Sequence, residues 1–199
     1  MIKKLDAIRG LKPMTKGERS KFNITDVCVG GYFSFRKQNW LVLEVNKYEE
    51  VKWKDFSRNK KGDRVYELTI FSLKTGEVKY IEYLVDDGSE IYFTEQEVKM
   101  IDLGVTRAML EEIAEDGEGE IIFEGRKYYY SDDETTALLY YRGDTADGIP
   151  VRCYEFESTD YKYLTVEAWY TDTEDDRPSR EAYISVDVKE ADIEVLQLK

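Results

Sequence analysis

The chain has 199 residues, 42% hydrophobic and 36% charged, with a formal net charge of -13. It contains no histidine, which excludes Ser-His-Asp and Cys-His catalysis, His-ligated zinc and a histidine pH switch. The acidic balance works against nucleic acid as a partner, because phosphate binding needs clustered Lys and Arg.

Residues 1–21 form a basic N-terminal segment, with Lys3, Lys4, Arg9, Lys12, Lys16, Arg19 and Lys21 against Asp6 and Glu18. Within it, Met1, Ile2, Leu5 and Ile8 share one helical face, and Gly10 and Pro13 stop the pattern. A short N-terminal helix is expected there, and residues 1–12 are a candidate for contact with a membrane surface. From Val27 the pattern turns to β. YFSFR (32–36) and NWLVLEVNKY (39–48) read as strands joined by a tight turn. A polar loop around Asn59-Lys60-Lys61-Gly62 precedes RVYELTIF (64–71). A turn at Lys74-Thr75-Gly76 leads to EVKYIEYL (77–84), and Asp87-Gly88 is a hairpin signal before EIYF and EVKMIDL.

Helical spacing then takes over at about 106–115. Thr106 is the expected N-cap, Met109, Leu110, Ile113 and Ala114 the apolar stripe, and Gly117 the stop. Strands resume with GEIIF and RKYYY around the turn Glu124-Gly125. TALLYYR (136–142) precedes the loop GDTADGIP, followed by VRCYEFE (151–157) and YKYLTVEAWY (161–170). An acidic loop, REAYISVDV (180–188) and DIEVLQL (192–198) complete the chain.

The fold class expected is mainly β: two related antiparallel meander or barrel-like halves joined by a short helix. The boundaries are 1–21, 22–104 for the first half, 105–118 for the connecting helix and 119–199 for the second half. An internal repeat supports this division. Tyr66-Glu67-Leu68 resembles Tyr154-Glu155-Phe156, and Tyr80-Ile81-Glu82-Tyr83 resembles Thr165-Val166-Glu167-Ala168, at nearly constant offsets.

IIFEGRKYYY, ALLYYRG, CYEFE, LTVEAWY and ADIEVLQ resemble the bacterial family known as domain of unknown function 4178. NWLVLEV, VYELTIF and YIEYLVDD fit more loosely. The resemblance implies a mostly β fold, no established activity and an association with bacterial membrane-stress proteins.

Several residues are candidates for function. Glu82 and Glu167 hold matching positions, and paired carboxylates can serve as acid and base. Alternation turns both away from the apolar face, so they are expected to be solvated. Asp172, Glu174, Asp175 and Asp176, like Asp132, Asp133 and Glu134, read as solvated charge runs instead of a cation loop. Tyr128, Tyr130, Tyr140, Tyr161, Tyr163 and Trp169 belong to an aromatic-rich region that suits a partner-binding face. Cys28 and Cys153 lack metal or redox spacing and read as reduced thiols.

No catalytic residue, metal or cofactor is expected. No apolar run is long enough to span a bilayer and no signal-peptide pattern is present, so the expected location is the cytoplasm. The function expected is a non-enzymatic module that binds another protein. The alternative is a carboxylate-based hydrolase or a carbohydrate-binding protein using the Glu and Tyr positions. A concave pocket with convergent carboxylates and aromatics favours the alternative. A flat aromatic patch or an uncovered sheet edge favours the module.

Overall fold

A computed structural model describes residues 14–52, 55–59, 62–84, 90–131, 136–170 and 179–199. The expected helix within 1–12, the turn Asp87-Gly88, residues Lys60 and Lys61, and the acidic runs at 132–134 and 172–176 lie outside the described residues.

The described strands are β1 (Tyr32–Phe35), β2 (Gln38–Lys52), β3 (Ser57–Arg58), β4 (Arg64–Ser72), β5 (Val78–Leu84), β6 (Ile91–Val98), β7 (Glu120–Phe123), β8 (Arg126–Tyr130), β9 (Thr136–Tyr141), β10 (Ile149–Ser158), β11 (Lys162–Trp169), β12 (Ser179–Asp187) and β13 (Glu194–Gln197). Among the described residues, α-helices α1 (Lys16–Arg19), α2 (Met100–Leu103) and α3 (Arg107–Asp116) accompany them.

Eight strands close into an antiparallel barrel in the order β2-β4-β5-β6-β12-β11-β10-β9. Closure depends on the length of β2. Its first part pairs with β1 and β4, and its last part pairs with β9, from Lys47 opposite Tyr141 to Val51 opposite Ala137. Closing the ring removes the barrel's free edges. The expected mainly β fold is therefore present. The expected meander or barrel-like halves do not each close into a barrel: each contributes four strands to one barrel. Strand β13, near the C-terminus, also returns to pair with β1 near the other end of the chain.

Most buried apolar residues face outward from the barrel into two clusters. Phe33, Phe35, Trp40, Val42, Leu68, Ile70, Ile81 and Phe93 pack where β1 and β13 cover one side. Leu110, Ile121, Tyr128, Tyr154, Phe156, Leu164, Val166 and Ile184 pack where α3, β7 and β8 cover the other. Sequence position does not sort the clusters cleanly. Val188 and Val195 belong to the first, Val98 and Leu103 to the second.

Helix α3 forms where its spacing predicts. The Met109 N–H donates to Thr106 Oγ1 at 3.2 Å, and Gly117 ends the helix at φ 70°. Leu110 is buried, whereas Met109, expected on the same stripe, is exposed. The stretch EVKMIDL departs from expectation. Val98 ends β6, and Met100–Leu103 forms α2, whose stop is Gly104 at φ 66°. The described part of the basic segment holds α1. There Arg19 bonds Glu194 at 2.8 Å and so fastens the segment beside β13.

A candidate ligand site in the barrel lumen

Strand alternation assigns the second face of each barrel strand. On β5, Ile81 and Tyr83 are buried in the first apolar cluster, so Glu82 between them points into the barrel. On β11, Val166 and Ala168 belong to the second cluster, so Thr165, Glu167 and Trp169 point inward. Because the sheet closes, inward means away from bulk water. The expectation that Glu82 and Glu167 are solvated is corrected by this closure: Glu167 is only 6% exposed, and Glu82 is partly buried.

A cavity runs along this interior. An inner chamber of about 80 Å³ is bounded by Tyr48, Glu82, Cys153, Glu167 and Tyr183, among others. An outer chamber of about 520 Å³ carries Glu50, Asp63, Glu90, Tyr92, Glu157 and Tyr163. Val65, Glu82, Leu138, Glu155, Thr165 and Ser185 line both, which places the chambers side by side. Together the linings draw on all eight barrel strands. A larger surface hollow beside the β7–β8 turn lies outside the barrel. Its charges already neutralise one another, with Arg126 on Asp160 at 3.0 Å.

Buried polar contacts hold the inner wall. Asn46 donates to Glu67 Oε1 at 2.8 Å, and the Tyr48 hydroxyl donates to Glu167 Oε1 at 3.3 Å. Glu67 and Glu82 stand opposite each other on β4 and β5. Burial pushes the Glu67 carboxyl up to about 7 despite the Asn46 bond. Burial, then the charges of Glu67 and Glu155, push Glu82 up to about 8. Glu167 lies well above the usual carboxylate range, through burial and then Glu82 and Glu67. Burial and the Glu167 charge likewise raise Tyr48. Among the described residues, no three acidic or cysteine side chains converge closely enough to hold a metal ion.

The aromatic candidates do not assemble into one face. Tyr128 is fully buried in the second apolar cluster, and Tyr130 packs at its margin against Phe156, 5.4 Å between ring centres. Tyr140 turns inward, 4.9 Å from the Tyr48 ring and 5.1 Å from Trp169. Tyr163 lines the outer chamber, donates to Asp187 at 3.2 Å and meets Tyr92 edge-on at 5.2 Å. Tyr161 lies apart on the β10–β11 turn and is exposed. The physical reason is alternation combined with closure, which divides one aromatic run between wall and lumen.

Sequence reasoning missed Glu67, Glu155, Tyr48, Tyr92 and Tyr183 as site residues. A signal existed for some of them. Glu67 and Glu155 occupy matching positions in the repeat, each flanked by residues that pack on the outer face.

No helix among the described residues is long and apolar enough to cross a membrane. No curated protein and no solved structure matches the chain. The sequence model of one family, described as a domain of unknown function (DUF4178), matches residues 28–183. That span runs from just before β1 into β12 and takes in both expected halves in a single match, so the chain belongs to the DUF4178 family.

Proposed function

We propose that the protein is a non-enzymatic binding protein that takes a small molecule into the lumen of its barrel. The observation that carries this reading is the interior cavity, which every barrel strand helps to line and whose wall is rich in carboxylates and tyrosines. A soluble barrel of this size commonly fills its interior with apolar side chains or holds one small ligand there. Here most apolar side chains pack outside, and the interior carries many polar groups, with Val65, Leu84 and Leu138, around free space. The outer chamber's volume lies within the range of small-molecule sites.

Binding to another protein has one observation in its favour. Among the described residues strand β7 pairs only with β8, and Ile122 and Tyr129 are exposed beside that edge. Nothing at the edge specifies an occupant, whereas the cavity specifies size, shape and chemistry.

Entry is the test. Thr165 lines both chambers, so a Thr165→Cys variant places a thiol at their junction. With Cys28→Ser and Cys153→Ser removing the natural thiols, the reagent is neutral methyl methanethiosulfonate. Reaction under native conditions much faster than global unfolding is expected. Reaction only at the unfolding rate would show a sealed lumen and end this reading.

A further inference from the structure

The surface carboxylates are extensively paired with cations. Glu44 bonds Arg142 at 2.7 Å, Glu95 bonds Arg36 and Lys162 at 2.6 Å, and Glu120 bonds Lys127 at 2.9 Å. The lumen differs. Its outer chamber carries Glu50, Asp63, Glu82, Glu90, Glu155 and Glu157, and among the described residues no Lys or Arg lines it. The inner chamber adds Glu167 and, among the described residues, again no cation.

Two of these carboxylates have unused bonding capacity. Glu167 takes one long bond from Tyr48 on Oε1, and among the described residues its Oε2 takes none. No described residue hydrogen-bonds Glu82. Both side chains face free space, and one of them is more than nine-tenths buried. Ionised carboxylates withdrawn from water need a counter-charge or a proton.

We propose that the lumen binds an organic ammonium ion, with Glu82 and Glu167 as its counter-charges. This rests on the reading of the lumen as a ligand site and names the class of ligand. A metal ion is the poorer fit, because the lining lacks a converging oxygen set. An ammonium ion needs no such shell. Its carbon skeleton can lie along Val65, Leu84 and Leu138. Its charge can also approach the rings of Tyr48, Tyr92, Tyr163 and Tyr183, which attract cations through their faces.

Protons compete with such a ligand. The groups around Glu82 are Tyr48 of β2, Glu67 of β4, Tyr92 of β6, Glu155 of β10, Glu167 of β11 and Tyr183 of β12, with Leu138 of β9. All the titratable ones are acids. The raised carboxyls of Glu82 and Glu167 must release protons as a cation enters, so affinity rises with pH.

The Thr165→Cys chain tests charge directly. Cationic trimethylammonioethyl methanethiosulfonate is compared with anionic sulfonatoethyl methanethiosulfonate, each normalised to its rate on a surface Thr159→Cys chain in the same background. The cationic reagent is expected to react about tenfold faster or more, as charge focusing in a low-dielectric cleft predicts. Adding Glu82→Gln and Glu167→Gln should bring the rates together. Calorimetry on the unaltered full chain gives a second measurement. n-Butylammonium chloride should bind and release protons, whereas n-butanol and potassium chloride should not. Equal normalised rates, or a faster anionic reagent, would overturn the ammonium assignment. If the neutral reagent reacts in that case, the lumen remains a ligand site of another class. Failure of the neutral reagent as well removes both.

Discussion

Glu82 shows what a single side chain gains from its surroundings. Its neighbours Ile81 and Tyr83 anchor β5 in the apolar cluster, and that anchoring holds the carboxyl in the lumen. Its folded-state pKa of about 8 exceeds the ordinary value of 4.5. A carboxyl with a raised pKa binds its proton more tightly in the folded chain than in the unfolded one. Its contribution to stability is therefore fully present below about pH 4.5 and is lost as pH rises to about 8. The slope from such a group is at most about 1.4 kcal/mol per pH unit. Glu67 adds the same sign up to about pH 7. Urea unfolding should thus give a lower midpoint at about pH 8.5 than at about pH 5.5. Glu82→Gln should flatten the profile and raise the midpoint at the higher pH. A midpoint that rises with pH in the parent chain would show Glu82 to be exposed and ionised. The sequence made the direction of Glu82 legible, since alternation alone turns it from the apolar face. It did not make the destination legible, because a second face can meet either solvent or an enclosed lumen.

The strands and turns were the most legible parts of the chain, and their turn chemistry shows where the sequence compromises. The β7–β8 turn has Glu124 at φ 49° and Gly125 at φ 78°, which a type I′ hairpin demands. Glycine at the second position made this turn visible in the sequence. The β1–β2 turn needs the same geometry, yet it carries Arg36 at φ 51° and Lys37 at φ 60°. Arg36 has a reason to be there. Its guanidinium lies 5.2 Å from the Phe35 and Phe93 ring centres and pairs with Glu95 at 2.6 Å. Lys37 is exposed and has no comparable contact among the described residues. Lys37→Gly should therefore stabilise the protein by about 0.5 kcal/mol, as relief of left-handed strain exceeds glycine's entropy cost. Helix α3 gives the opposite case, where the residue already fits. Thr106→Ala removes the bond to the Met109 N–H and should cost about 1 kcal/mol. Thermal unfolding of the two variants should move the midpoint in opposite directions. A destabilised Lys37→Gly protein would mean that Lys37 makes a contact worth more than its strain.

Closure is a property of the whole chain, and local pattern carries no record of it. The period-two alternation of strands such as β5 and β12 also describes an open meander, which is why two meander or barrel-like halves are the natural expectation from sequence. The long β2 decides otherwise, because its final residues reach β9 and seal the ring. The second seam, β6 with β12, also joins strands from different halves. Further ties cross between them: β13 pairs with β1, and Val98 and Leu103 lie in the cluster formed mainly by later strands. Neither half can satisfy both of its seam strands or complete its apolar cluster alone. The full chain should unfold in one cooperative transition by near-UV and far-UV circular dichroism. Fragments 14–118 and 119–199 should each lack a cooperative transition, and mixing them should restore it together with the near-UV signal. Either fragment unfolding cooperatively as a monomer would show that one half folds without the shared barrel. The lumen would then have to be a feature of association between two finished units. The mixture of fragments also bears on the site itself. Because Glu82 lies in one fragment and Glu167 in the other, reaction of the Thr165→Cys thiol should become charge-selective only when both are present.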